Sequence, residues 1–329
     1  MSAPRVLVVD AECPDAAVIA DAARVLHAGG LVAFPTETVY GLGGLALEAS
    51  SILRIYAAKG RPGTHPLIAH VLGEEDAKRV AKTWPPLASA LAKAFWPGPL
   101  TLVVPKNDAV PAELTGGGGS VGIRAPMHPV ARALLAATNA PIAAPSANAF
   151  QEVSPTRAAH VVKSLGGAVD LVLDGGACAH GIESTVVELG ADGTLRVLRP
   201  GAIPIAALQA FGPVTYETLA PTTDVRRASP GQDARHYAPK ATLVVTARDA
   251  MPSATREGMR IGAIYRGKGG EIDAMVIRVL PADPQGYAAL LFATLHDLDD
   301  AGCDVVLVEA PPEDAAWLAV RDRLARASH

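Results

Sequence analysis

The 329-residue chain has only three cysteines, Cys13, Cys178 and Cys303. They are widely separated, odd in number and form no CxxC pair. That spacing argues against a disulfide framework or a zinc knuckle and suits a reducing, cytoplasmic setting. No charge sign dominates: 29 lysines and arginines stand against 33 acidic residues, so the chain as a whole has no footprint for a polyanion. No apolar run is long enough to cross a bilayer. The opening "MSAPRVLVVDAECPD" has acids where a signal peptide needs an unbroken apolar core. Walker A is missing, as is a GxGxxG opening a helix after a strand, so any nucleotide site is of another kind. Ser146 lies outside a Gly-x-Ser-x-Gly elbow, which argues against a hydrolase nucleophile. His65 and His70 lack the spacing of two ligands on one helix face, and no protein metal site is expected.

What remains is core-forming sequence, 50% hydrophobic and 19% charged, long enough for two domains. Strand-like runs alternate with helix-like ones. "PDAAVIADAARVLHAGG" predicts a helix with Ile19, Ala22, Ala23 and Leu26 on one face, stopped by Gly29-Gly30. "SSILRIYAAK" predicts another, and a third begins around Pro129. "LVAFP", "PLIAHV", "LTLVV", "VGIRAP", "PIAAP", "VDLVLD" and "STVVEL" read as strands. Residues 214–240 are poor in periodicity and rich in Pro, Thr and Ser, which divides the chain into 1–213, a linker, and 241–329. The last part alternates strands with a helix, "PQGYAALLFATLHDLDDAG", and ends in the amphipathic "AAWLAVRDRLARA". That pattern predicts a smaller α/β domain with a largely parallel sheet.

Several stretches carry chemistry. "FPTETVYGLGG" reads as a strand end turning through Gly41, Gly43 and Gly44. Its crowding of Thr36, Glu37, Thr38 and Tyr40 at a strand exit favours a ligand site. Lys59 and Arg61 sit on a loop stiffened by Pro62 and Pro66, either a solvated basic loop or a clamp for phosphate or carboxylate. Arg124, set in an apolar strand, needs an anion, supplied by a protein carboxylate or by a ligand. Ser146, Asn148 and Ser154 follow a buried strand and precede a helix over 156–165. They suit either an oxyanion or ordinary turns, with Ser154 or Thr156 as N-cap. Ser184 at a strand start and Arg199 at a strand end are each weak alone. In the linker, "SPGQDARHYAP" has Arg235, His236 and Tyr237 where a spacer needs none of them. The stretch is expected to fold over the first domain as a lid or, less interestingly, to dock on the second.

In order, "FPTETVYGLG", "KGRPGTHPLIAH", "FWPGPLTLV", "VGIRAP", "APSAN", "SPT", "GIESTVV", "LRPG" and "SPGQDARHYAP" closely resemble the threonylcarbamoyl-AMP synthases, over about residues 25–240. The resemblance implies a YrdC-like twisted mixed sheet with helices, followed by a smaller Rossmann-like α/β domain. It implies condensation of L-threonine, bicarbonate and ATP into threonylcarbamoyl-adenylate and pyrophosphate, with Mg²⁺ arriving on ATP. A separate transferase then uses the product on tRNA, so tight tRNA binding by this chain is not required. The implied catalytic cations at carbonate and phosphates are Lys59 and Arg61. Ser120, Ser146, Asn148, Ser154, Arg199 and Tyr237 are implied at the nucleotide. Arg124 is implied at the threonine carboxylate, with Thr36, His70 and Ser184 completing the amino-acid pocket. Gln232, Asp233 and Ala234 depart from the family's usual Met, basic and aromatic residues. The alternatives are a non-catalytic RNA-binding YrdC-like module, or carbamoyl-adenylate chemistry on another substrate. For the latter, the acylphosphatase and zinc-finger regions of the hydrogenase-maturing relatives are missing.

Overall fold

The computed structural model describes residues 3–216, 236–254 and 258–328. Within them, an eleven-stranded mixed sheet and a separate four-stranded sheet are each flanked by helices. The expected helices form over Ala16–His27, Ala49–Lys59 and Pro129–Thr138. The first buries Ile19, Ala22, Ala23 and Leu26, the face that the period requires. Asp15 caps it by accepting hydrogen bonds from the amides of Ala17 and Val18.

One reading changes. Gly41, Gly43 and Gly44 do not make a turn; they lie in the strand Gly41–Leu45, antiparallel to Val32–Phe34. Their role is space. A Cβ on Gly43 would stand 2.8 Å from the Phe34 ring and 3.0 Å from the Val32 carbonyl. A strand at Arg5–Val8, parallel to Leu171–Asp174, also goes beyond the sequence reading. Near the other edge, Leu195–Arg199 pairs in parallel with Val214–Tyr216, so the large sheet runs slightly past residue 213.

The second sheet is parallel throughout. Thr242–Thr246 pairs with Val305–Glu309, which pairs with Ile261–Arg266, which pairs with Val276–Leu280. Helices Pro284–Asp300 and Leu318–Ala327 accompany it. The two units share a core: Val39, Val153 and Ile182 pack in one cluster with Tyr237, Leu243, Phe292 and Leu324. Gly181 lies so close to helix Pro284–Asp300 that a Cβ there would stand 2.4 Å from the Ala289 carbonyl. Its φ of +69° disfavours a side chain independently.

Two histidines meet at this junction. His160, on Ala158–Leu165, stacks on His296 of Pro284–Asp300 with ring centroids 3.9 Å apart. Burial, and then the charge of the partner ring, lowers His160 to about 3; burial also lowers His296. Both rings are therefore neutral in the folded protein near pH 7, whereas in an unfolded chain they titrate near 6.5. A depressed folded-state value means that the stability they contribute is complete above pH ~6.5 and is lost as pH falls below it, for His160 down towards about 3. The urea midpoint is expected to fall between pH 7.5 and pH 5, and the double variant His160→Gln/His296→Gln to lose less over that interval. An identical acid slope in the variant would remove the pair from this account.

Candidate active site

Eight of the site residues implied above line a cleft with about 510 Å³ of open space; Lys59, Ser120, Asn148 and Ser154 do not. Gly41, Ile68 and Ala144 contribute to its lining beside Thr36, Arg61, His70, Arg124, Ser146, Ser184, Arg199 and Tyr237. A wider opening of about 940 Å³, bordered by residues 200–205, 284–285 and 315–320, is mainly apolar and holds none of the expected site residues.

Each side chain reaches the cleft for a local reason. Thr36 follows the strand Val32–Phe34, and its hydroxyl donates to the Val39 carbonyl at 2.7 Å while accepting from the amides of Thr38 and Val39. This tight hydroxyl turn aims the Thr38 and Glu37 side chains at Arg124. Arg124 is the last residue of Ser120–Arg124 and lies beside His70, the last of Ile68–His70, across a parallel pair. The anion that Arg124 needs is present in the protein: its Nη2 donates to Glu37 Oε1 at 2.7 Å and its Nη1 to Thr38 Oγ1 at 2.9 Å. Both members of the ion pair are buried. Burial alone would raise the Glu37 carboxyl, but the charge and hydrogen bond of Arg124 bring it below its usual value. His70 is lowered as well, but towards its neutral form: burial, and then Arg124, bring it to about 3, so the ring is uncharged. Its Nδ1 is buried without a hydrogen-bond partner.

The basic loop is an integrated part of the site rather than a solvated segment. Lys59 ends its helix, with Gly60 in the left-handed conformation behind it. The buried ammonium donates to the carbonyls of Ser146 and Asn148, so Lys59 ties down the loop that carries Ser146. Burial and then Arg61 push Lys59 well below its usual value, against the pull of Glu152. Arg61 lines the cleft, donates to the Pro66 carbonyl at 3.2 Å and lies 6.0 Å from the Phe150 ring centre.

Asn148 and Ser154 are buried behind the cleft lining. Asn148 donates to the carbonyls of Ala149 and Glu152, and its side-chain oxygen has no partner. Ser154 is not a helix cap: the helix begins at Ala158 with Arg157 as N-cap. The Ser154 hydroxyl instead donates to Glu183 Oε1 at 2.5 Å. Thr156 does not cap by its side chain either, because its hydroxyl is buried without a partner. Ser184 shares a 2.8 Å hydrogen bond with Thr101, and Arg199 donates to both the carbonyl and the hydroxyl of Ser184. Ser120, exposed at the start of its strand, is not among the residues lining the cleft.

Of the stretch 229–239, residues 229–235, including Arg235 and the divergent Gln232, Asp233 and Ala234, lie outside the described residues. His236 and Tyr237 border the cleft. Tyr237 also docks on the second domain, stacked on Phe292 with centroids 5.6 Å apart. For this residue the two readings of the linker coincide. Sequence reasoning placed Glu37 among the polar residues at the strand exit but not as the partner of Arg124, and it left out Glu183, although both lie inside quoted motifs. Their signal was a carboxylate beside a residue already expected to face a ligand.

Comparison with known proteins follows this geometry. Residues 24–201 match the Sua5/YciO/YrdC family model, described as telomere recombination, and residues 203–329 match that of the threonylcarbamoyl-AMP synthase C-terminal domain. The threonylcarbamoyl-AMP synthase of Pyrococcus abyssi is 40% identical, with 93% of each chain covered. That of Bacillus subtilis is 37% identical, with 94% of this chain and 92% of the relative covered. A crystal structure of Pyrococcus abyssi Sua5 complexed with L-threonine superposes with a TM-score of 0.91 at 38% identity, covering 98% of this chain and 97% of that one. With both halves matched and relatives aligned along almost its whole length, this chain belongs to the threonylcarbamoyl-AMP synthase family.

Proposed function

We propose that this protein is a nucleotidyltransferase that makes L-threonylcarbamoyl-adenylate and pyrophosphate from L-threonine, bicarbonate and ATP. The observation that carries the reading is the convergence of three arginines, Arg61, Arg124 and Arg199, with the hydroxyls of Ser146 and Ser184 on one cleft. The chemistry requires such a place. The threonine amine attacks the carbon of bicarbonate, water leaves, and a carbamate oxygen then attacks the α-phosphate of ATP with loss of pyrophosphate. All the reactants carry negative charge. Cations fixed in advance offset their repulsion and stabilise the charge that develops on pyrophosphate. Arg61 and Arg199 serve the phosphates in this reading. Lys59 acts beside them by fixing the Ser146 loop.

The amino-acid end is the Arg124 side. Three of the five guanidinium N–H groups donate to Glu37, Thr38 and the Gly98 carbonyl, which leaves two for a substrate carboxylate. Thr36, His70 and Ser184 complete that end, and a polar pocket built around the threonine hydroxyl discriminates against analogues that lack it. Mg²⁺ enters on ATP in this reading. Glu183, which lines the cleft, and Glu37, which pairs with the lining Arg124, are both already held by arginines. Among the described residues, no group of three or more His, Cys, Asp or Glu could hold a metal ion. The product goes to a separate transferase that modifies tRNA.

Purified protein with ATP, Mg²⁺, bicarbonate and L-threonine is expected to release pyrophosphate and a carbamoyl-adenylate, and to release neither when threonine or bicarbonate is omitted. ATP turnover indifferent to threonine would sink the assignment, and equal use of serine would sink its specificity. Replacing Arg61 with Ala removes a donor at developing charge and is expected to lower kcat about 100-fold. Lys59→Ala is expected to do the same while also loosening residues 145–149, seen as faster hydrogen exchange there. Arg124→Ala strands Glu37, so about 3–5 kcal/mol of stability is expected to go with threonine affinity. The double variant Glu37→Gln/Arg124→Met separates the two effects. Stability is expected to return and threonine binding not to; recovery of binding in that variant would refute the carboxylate role.

A further inference from the structure

The helix Leu318–Ala327 packs an apolar face of Val320, Leu324 and Ala327, and on that face lies Arg323, with no exposed surface. A guanidinium cut off from water must find its hydrogen bonds within the protein. Those it makes beyond its own helix go to the first domain. Nε donates to Glu183 Oε2 at 2.7 Å and Nη2 to the Pro200 carbonyl at 3.0 Å, while Nη1 takes the neighbouring Asp322 at 2.5 Å. The guanidinium carbon also lies 5.0 Å from the centre of the Tyr237 ring.

The contacts with Glu183, Pro200 and Tyr237 lead to the cleft. Glu183 uses its other oxygen, Oε1, to accept the hydroxyl of fully buried Ser154. Pro200 follows Arg199, whose guanidinium lines the cleft. Tyr237 has a φ of +60°, an uncommon conformation for a bulky side chain, and sits between the stacked Phe292 ring and Arg323. A side chain serving only to dock the domains would not need this pattern. The shared apolar cluster and the stacked histidines already join them, and a buried ion pair adds little net stability compared with apolar packing.

We propose that Arg323 is a positioning residue for the nucleotide end of the cleft. Acting through Glu183, Pro200 and Tyr237, it fixes Ser154, the turn that carries Arg199 and the ring that borders the cleft. The first domain therefore has a competent ATP subsite only with the C-terminal domain docked. This inference rests on the reading that the cleft takes ATP at its Ser154 and Arg199 end and threonine at its Arg124 end.

The test is a calorimetric titration of the full chain with MgATP and, separately, with L-threonine, for wild type and Arg323→Met. ATP affinity is expected to fall about tenfold or more, while threonine affinity stays within about twofold. Arg323→Lys, which keeps the charge but cannot span both Glu183 and the Pro200 carbonyl, is expected to fall between. In steady state the KM for ATP rises more than kcat falls. Should Arg323→Met fail to fold, Glu183→Gln/Arg323→Met removes both charges together, strands neither, and carries the same expected split. Wild-type ATP affinity in a folded variant, or equal weakening of both ligands, would reduce Arg323 to a structural tie. The binding readout also separates the two readings. A wild type that binds ATP but releases no threonine-dependent pyrophosphate refutes the proposed reaction and leaves the Arg323 comparison decisive. A wild type that binds no ATP refutes both.

Discussion

A site for anionic reactants has to keep cations out of water before the substrates arrive, and two buried arginine–carboxylate pairs make that possible here. Arg124 is held by Glu37 and Arg323 by Glu183, all four side chains being almost fully buried. An unpaired charge in such surroundings would be strongly destabilising or would neutralise. Each glutamate also uses its other oxygen to hold a second group in place. Glu37 accepts from the Met127 amide, and Glu183 accepts from Ser154. The arginines therefore arrive with fixed orientation as well as retained charge. Preorganisation of this kind is what electrostatic catalysis requires, because little reorganisation is left for the reacting complex.

The parts of this arrangement that depend on local pattern were legible in the sequence. Ile19, Ala22, Ala23 and Leu26 announced a helix face and are buried as one. Three of the ordered motifs brought Thr36, Arg61, His70 and Arg124 to one cleft. What stayed hidden depends on partners distant in sequence. Arg124 visibly needed an anion, but nothing local says that it comes from 87 residues upstream. The run Gly41, Gly43 and Gly44 was misread because glycine signals either a special backbone angle or a lack of room. Only neighbours outside the strand decide for the second: Ala144 beside Gly41, the Phe34 ring beside Gly43, and Ile55 and Ser51 beside Gly44. Ser154 looked like a cap because it precedes a helix, yet its hydroxyl is spent on Glu183. Arg323 was in view as one charge in an amphipathic helix. Its place on the stripe of Val320, Leu324 and Ala327 was the available clue that it is buried.

The second domain is joined to the first through its interior. Val39 and Val153 come from the same segments as Thr36 and Ser154, and they pack in the cluster that contains Phe292 and Leu324. The backbone joins as well: the Ala238 amide donates to the Gln151 carbonyl, and the His296 ring contacts the Ser154 carbonyl at 3.2 Å. Movement of one domain against the other would therefore pull on the segments that form the cleft. This accounts for a C-terminal unit that contributes none of the lining side chains Thr36, Arg61, His70, Arg124, Ser146, Ser184 and Arg199 and still contacts the parts that hold them.

The contact between Arg323 and Glu183 spans 140 residues, which gives it a place in the order of synthesis. A nascent chain emerges from its N-terminal side, and domains fold as they become available. Helices and most strands of the large sheet can assemble from contacts already made, but Glu183 then has no Arg323. Closing its segment early would bury a carboxylate without that partner, so the turn bearing Ser184 and the loop after Arg199 settle late. Ribosomal fragments that stop short of Leu318–Ala327 accordingly carry most of the fold and an unfinished cleft. Maturation of the site is tied to arrival of the helix that is made last among these elements.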